Sequence, residues 1–188
     1  HLRESIRLKP RFSDSLNNLG KSMEGQGNIE RAIHWYRQAA EINPGDPRIM
    51  TNLAAMAGAT GHFDEARVML QKVLDKKPAS PLALSNLGSV EASQGKVDLA
   101  IGLYRKSLQL DPTAIQTRMN LSRLLLGKEK FDEAYDELQI VLDQRPNLVS
   151  ALLNRGVAEV NLGKMSQASS TFNEILDIDP GHMQALSN

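Results

Sequence analysis

The amino-acid sequence predicts an all-α solenoid of antiparallel helix pairs, one pair for every 34 residues. Three observations predict it. Pro10, Pro44, Pro78, Pro112, Pro146 and Pro180 are each 34 residues apart, and the other two prolines, Pro47 and Pro81, share that interval. Between the prolines, Leu84, Leu87, Gly88 and Glu91 keep the i, i+3, i+4, i+7 spacing of one helix face, and Ala100, Tyr104 and Leu108 stripe a second segment. The same arrangement recurs in register in five stretches of 34 residues. Units of this length cannot bury their apolar faces alone, so neighbours must stack to supply the core.

Residues 81–114 carry the clearest copy of the unit. Ser80 reads as an N-cap, with Pro81 at the first helical position, where a missing N–H costs nothing. Gly95 ends the first helix by accepting the left-handed conformation of a C-cap. Asp98 places an acid at the start of the second helix, at the positive end of its dipole. Pro112 stops that helix, since proline cannot continue one. Counted from Pro81 as position 1, the full units are 13–46, 47–80, 81–114, 115–148 and 149–182, with partial units at 1–12 and 183–188. The expectation is a single array over residues 1–188, cut from a longer protein.

Leu84, Leu87, Gly88, Ala100, Tyr104, Ser107 and Pro112 stand at positions 4, 7, 8, 20, 24, 27 and 32. That set resembles the signature of the tetratricopeptide repeat: a bulky residue, a leucine and a small residue, then small, large or aromatic, small, and proline. The resemblance implies a right-handed superhelical solenoid whose first helices line a concave surface and whose partners are proteins.

Residues 1–12 match the second helix of a unit whose first helix is absent, with Leu2, Ser5 and Pro10 at positions 24, 27 and 32. Leu2 and Ile6 are expected to stay partly uncovered. Residues 13–46 follow the pattern with Leu16, Leu19, Gly20, Ala32, Tyr36, Ala39 and Pro44. Trp35 is expected to be half-buried on the outer surface, and His34 to be an ordinary surface residue. Residues 47–80 supply Met50, Leu53, Ala54, Ala66, Leu70, Val73 and Pro78. Their small-residue run Ala54, Ala55, Ala57, Gly58, Ala59 reads as close backbone packing. Residues 115–148 depart most, with Arg118 at position 4 and Glu129 in place of the turn glycine, so an altered turn is expected. Leu121, Ala134, Leu138, Val141 and Pro146 keep the rest in register. Residues 149–182 hold Leu152, Gly156, Ala168, Phe172, Ile175 and Pro180, but Arg155 replaces the leucine of position 7. Leu186 begins a further first helix. Both ends are expected to expose stacking surface, which makes a homo-oligomer through uncapped repeat ends an expectation.

Composition excludes several function classes. Lys+Arg and Asp+Glu both number 22, and a balanced surface argues against nucleic acid or anionic membrane as the main partner. No apolar run approaches the ~20 residues of a membrane helix, so no membrane insertion is expected. Cysteine is absent, which removes disulfide and thiolate chemistry. Gly25, Gln26 and Gly27 lack the third glycine and the strand of a dinucleotide motif. His1, His34, His62 and His182 have no metal-ligand spacing. Asp64, Glu65, Asp132 and Glu133 recur at helix starts, where the dipole accounts for them. The chain is expected to be no enzyme, to use no cofactor or metal, and to be cytoplasmic.

One feature goes beyond scaffold needs. Asparagine holds position 6 throughout, as Asn18, Asn52, Asn86, Asn120, Asn154 and Asn188. Helix propensity does not select it. A carboxamide offers a donor and an acceptor together, which matches the acceptor and donor of a peptide group. On the concave face that the resemblance implies, such a row would grip an extended main chain. It is similar to the asparagine ladder in the superhelix of O-GlcNAc transferase. Neighbouring concave positions would read side chains, with Lys21, Arg48, Ser89, Arg123, Met119 and Leu153 as the candidates. The expected groove runs from charged, through small and polar, to apolar. The carboxylate clamp of chaperone-binding members is not matched: Asn17, Lys21, Asn52, Leu82 and Asn86 stand at its places, and only Asn52 fits. The expected function is a protein–protein interaction scaffold that binds an extended peptide. The alternatives are a substrate-recruiting arm of a larger enzyme, such as a glycosyltransferase, and a self-assembling repeat module.

Overall fold

A computed structural model describes residues 2–183 and 185, with side chains from Phe12 onward. His1, Leu186 and Asn188 lie outside the described residues, as do the side chains of Leu2, Ser5 and Ile6. Among those described are ten α-helices and no strand. They are α1 (Leu2–Gly25), α2 (Ile29–Ile42), α3 (Pro47–Ala59), α4 (Phe63–Lys76), α5 (Pro81–Ser93), α6 (Val97–Leu110), α7 (Ile115–Gly127), α8 (Phe131–Gln144), α9 (Val149–Asn161) and α10 (Met165–Ile178). The chain forms two compact units, residues 1–103 and 104–188, with the boundary inside α6.

In residues 1–103, α1 packs on α2, α2 on α3, α3 on α4 and α4 on α5. The caps are local. The side chains of Asn28, Asp46 and Ser80 accept from the backbone N–H groups of Arg31, Arg48 and Ala83. The core follows the repeat register. Ala32 and Tyr36 of α2 pack with Leu53 and Met56 of α3. Ala54, Ala66 and Leu70 pack with Leu87 and Val90 of α5. The position-7 leucines, Leu53 and Leu87, are thus covered by the helix pair that precedes them. Small residues permit the approach: a Cβ on Gly20 would lie 2.5 Å from the Tyr36 ring. Tyr36 is fully buried, and its hydroxyl donates to Glu24 Oε2 at 2.6 Å. Burial and that carboxylate push the phenol above its ordinary range.

Two expectations for this unit are overturned. Pro10 does not end a helix, because α1 runs unbroken from Leu2 to Gly25. In the following two units the proline is succeeded by residues that turn or cap, Gly45 and Asp46, then Ala79 and Ser80. Arg11 and Phe12 do neither, so the helix continues through the proline with one backbone hydrogen bond fewer. The second correction follows from the first. Leu19, expected in the core, is 37% exposed. Its counterparts are covered by an antiparallel helix before them, and here the preceding residues extend α1 along its own axis.

In residues 104–188, α7 packs on α8, α8 on α9 and α9 on α10. Leu138, Val141, Leu142, Ala151, Leu152, Ala168, Phe172 and Ile175 form its core. Phe172 lies on the α9 backbone, where a Cβ on Gly156 would come within 2.5 Å of the ring. The altered turn expected at Glu129 does not occur. Glu129 adopts φ 58°, in the same left-handed region as Gly27, Gly61, Gly95 and Gly163 at 73°, 84°, 77° and 72°. The Lys130 N–H donates to Leu125 O at 2.9 Å, just as Lys96 donates to Glu91 O at 2.9 Å and Lys164 to Glu159 O at 2.8 Å. The closing hydrogen bond imposes the conformation, and Glu129 adopts it at a steric cost that glycine avoids.

The arginines at apolar positions are accommodated by partners. Arg118 is 8% exposed; it pairs with Glu137 and donates to Pro112 O at 2.8 Å. Arg155 donates to Thr171 Oγ1 at 2.9 Å and lies 3.4 Å from Glu159. Thr171 in turn donates to Glu159 Oε2 at 2.8 Å. Buried charge is tolerable only when paired and hydrogen-bonded in this way.

Candidate groove residues and family

The position-6 asparagines fall into three settings. Asn18 is exposed on α1. Asn52 is 8% exposed and donates to Asn17 Oδ1 at 2.9 Å. Asn86, Asn120 and Asn154 are half-buried and reach the surface. In residues 1–103, Asn86 lines a recess between α3 and α5 with Ala55, Gly58, Ala59, Ser89, Val90 and Ser93. The small residues make the space, while Gly58 keeps the helices close: a Cβ there would be 3.2 Å from Val90 Cγ2. Asn86 Nδ2 reaches Thr51 O at 3.5 Å, too long for a strong bond. The carboxamide therefore keeps most of its capacity for a ligand. Ser89, which also lines the recess, donates to Ser85 O at 3.2 Å.

In residues 104–188, Asn120 of α7 and Asn154 of α9 line one groove. Gln116, Met119, Arg123, Arg145, Leu148 and Ser150 share its walls. Gln116 Nε2 donates to Asn120 Oδ1 at 3.2 Å, which orients that carboxamide with its Nδ2 toward further acceptors. Met119 and Leu153 are half-buried and pack against the unit's core.

The remaining candidates are placed differently. Lys21 is exposed on α1. Arg48 is engaged, at 2.7 Å from both Asp14 and Asp46, and its guanidinium holds the Asp46 carboxyl below the usual range. Arg123 is exposed, and among the described residues it makes no ion pair. Position 5, which holds the candidates Met119 and Leu153, is Asn17, Thr51 and Ser85 in the earlier units, and these three are buried. Asn17 accepts from Asn52 of the next first helix, and the Thr51 hydroxyl donates to Pro47 O at 2.6 Å within its own helix.

Sequence reasoning missed Arg145 and Leu148, which enter the second groove from the connection between α8 and α9, and Ile115, the first residue of α7. Their spacing carries no helical signal that could have flagged them. It also missed the buried network around Glu91. Arg67 lies 2.6 Å from Glu91 and Lys96 3.1 Å, and Arg67 holds the Glu91 carboxyl below its ordinary value despite burial. Among the described residues, no group of three His, Asp or Glu side chains could hold a metal, and no helix is long and apolar enough to cross a membrane.

Comparison with known proteins agrees with this geometry. Tetratricopeptide repeat models match residues 13–46, 53–115, 91–156 and 149–182. No curated protein matches the sequence. Among solved structures, PilF of Pseudomonas aeruginosa superposes with a TM-score of 0.80 at 20% identity, over 90% of this chain and 77% of its own. YrrB, described as a tetratricopeptide protein with an unusual peptide-binding site, gives 0.71 at 21% identity, over 98% and 95%. MamA gives 0.69 at 18% identity, over 88% and 91%. Identities this low speak for the fold. The four repeat models together cover residues 13–46 and 53–182, and the chain belongs to the tetratricopeptide repeat family.

Proposed function

We propose that this chain is a protein-interaction scaffold that binds an extended peptide segment against its first helices, with position-6 asparagines holding the main chain. One observation carries the reading: Asn86, Asn120 and Asn154 each present a carboxamide in a surface recess beside small or apolar residues. The peptide-binding site of YrrB, a protein of the same fold, supports it. Asn52 belongs to the row through its bond to Asn17, which fixes the α1–α3 contact. Binding is an equilibrium in which ordering a flexible segment offsets part of the contact energy, so affinity is expected to be modest.

A peptide-array screen tests this, with the native chain beside the variant N86A/N120A/N154A. Peptides lost only by the variant support the ladder. Equal retention by both proteins moves binding elsewhere and overturns it.

A further inference from the structure

The charge of residues 104–188 is segregated by helix. The outer helix α8 carries Asp132, Glu133, Asp136, Glu137 and Asp143 and no lysine or arginine. On α7 and α9 the single acid is Glu159, which is 2% exposed and held by Arg155 and Thr171. The open face of α7 and α9 therefore presents no carboxylate to solvent. It does present Arg123 and Arg145, both exposed and both lining the groove, and neither guanidinium is in an ion pair or hydrogen bond among the described residues. The three other arginines of this unit are engaged: Arg105 with Glu133, Arg118 with Glu137, and Arg155 with Glu174. Two unspent guanidiniums in a groove whose lining holds no acid form a site for carboxylate.

The rest of the groove limits what can carry that carboxylate. Met119, Ile115 and Leu148 give an apolar floor. Arg123 stands one helical turn beyond Met119 on α7, a rise of about 6 Å. Two alternate residues of an extended chain span a similar distance, about 7 Å. Gln116, Asn120 and Arg123 follow i, i+4, i+7 and so share one stripe of the helix. We infer that the groove between α7 and α9 selects an extended acidic segment of a protein partner, in which an Asp or Glu meets Arg123 and Arg145 and an apolar side chain two or three residues away fills the Met119–Leu148 floor. This rests on the peptide-binding reading above. Arg123 stands at position 9 of the repeat, the place that Lys21 holds in residues 13–46, and Arg145 stands at position 31, which is not a place of the chaperone-binding clamp.

The test uses the full chain and two fluorescein-labelled degenerate decapeptide pools. Each pool has one fixed leucine, followed after one free residue by glutamate in one pool and glutamine in the other. Anisotropy is read at low and at high salt. A hydrogen-bonded charge pair corresponds to roughly tenfold in affinity, so the glutamate pool is expected to bind about tenfold tighter at low salt. That preference is expected to shrink as salt screens it. R123Q/R145Q is expected to equalise the pools by weakening the glutamate pool alone. N120A/N154A is expected to weaken both pools. Equal binding of the two pools by the native chain overturns the charge selection and leaves the peptide reading standing. An undiminished glutamate preference in R123Q/R145Q assigns the carboxylate to other residues and overturns it too. Binding of neither pool overturns both readings. Salt-sensitive self-association in sedimentation, abolished by R123Q/R145Q, makes the acidic α8 of a second copy the occupant and likewise overturns the proposal.

Discussion

Replacing Glu129 by glycine is expected to stabilise the protein, although it removes a side chain and adds backbone freedom. Glu129 sits at φ 58° in a turn where the four equivalent residues are glycines. The left-handed conformation costs an L-residue ~1–2 kcal/mol, through the clash of Cβ with the following carbonyl oxygen. Glycine removes that cost but loses more backbone entropy on folding, an offset of about 0.5–1 kcal/mol. The net expectation is a gain of about 0.5–1 kcal/mol. Urea unfolding followed by circular dichroism measures it, and hydrogen exchange at the Lys130 amide localises it. Two further variants frame the reasoning. E129N is expected to gain a few tenths of that, since asparagine tolerates the left-handed region. G95E installs the strain in an otherwise similar turn, at φ 77°, and is expected to destabilise by ~1 kcal/mol. A neutral or destabilising E129G together with a harmless G95E would refute the argument, because the turn would then not require the left-handed conformation.

Other perturbations probe the core and its charges. Tyr104 is almost fully buried, and Tyr104→Ala is expected to cost ~3–5 kcal/mol in chemical denaturation; a loss below ~1 kcal/mol would contradict its burial. Gly156→Ala drives a methyl to within 2.5 Å of the Phe172 ring and is expected to cost ~1–3 kcal/mol, with Phe172→Leu in the same chain recovering part of it. The Glu91 carboxyl is held below its ordinary 4.5 by Arg67, so its contribution to stability is complete above that value and is lost as pH falls through the lowered one. Melting temperature is therefore expected to drop on acidification below about pH 4.5, with a shallower drop in Glu91→Gln; equal slopes would remove Glu91 from the acid response.

Much of this molecule is written in local pattern. Proline spacing, cap residues and the large-small alternation depend only on neighbours a few residues away. They specified the helix pairs from α2 onward and buried Tyr36, Leu70, Tyr104, Leu121, Leu138 and Ile175 in register. The asparagine row was equally legible. Other features depended on which distant residue covers each face. Leu19 carries the same signature as Leu53, yet it lies open because the described residues before it extend α1 along its own axis. Asn52 and Asn86 hold the same repeat position, yet one is spent on Asn17 and the other lines a recess. Arg118 and Arg155 looked like interruptions of the apolar pattern and are buried or half-buried among Glu137, Thr171 and Glu159. Arg145 and Leu148, in a connection without periodicity, became groove residues only when α7 and α9 came together. Sequence alone therefore determined the repeat, its helix pairs and the identity of the asparagine row. Tertiary structure decided which of those side chains are free to meet a partner, because exposure, pairing and the charge of a groove are set by contacts between residues far apart along the chain.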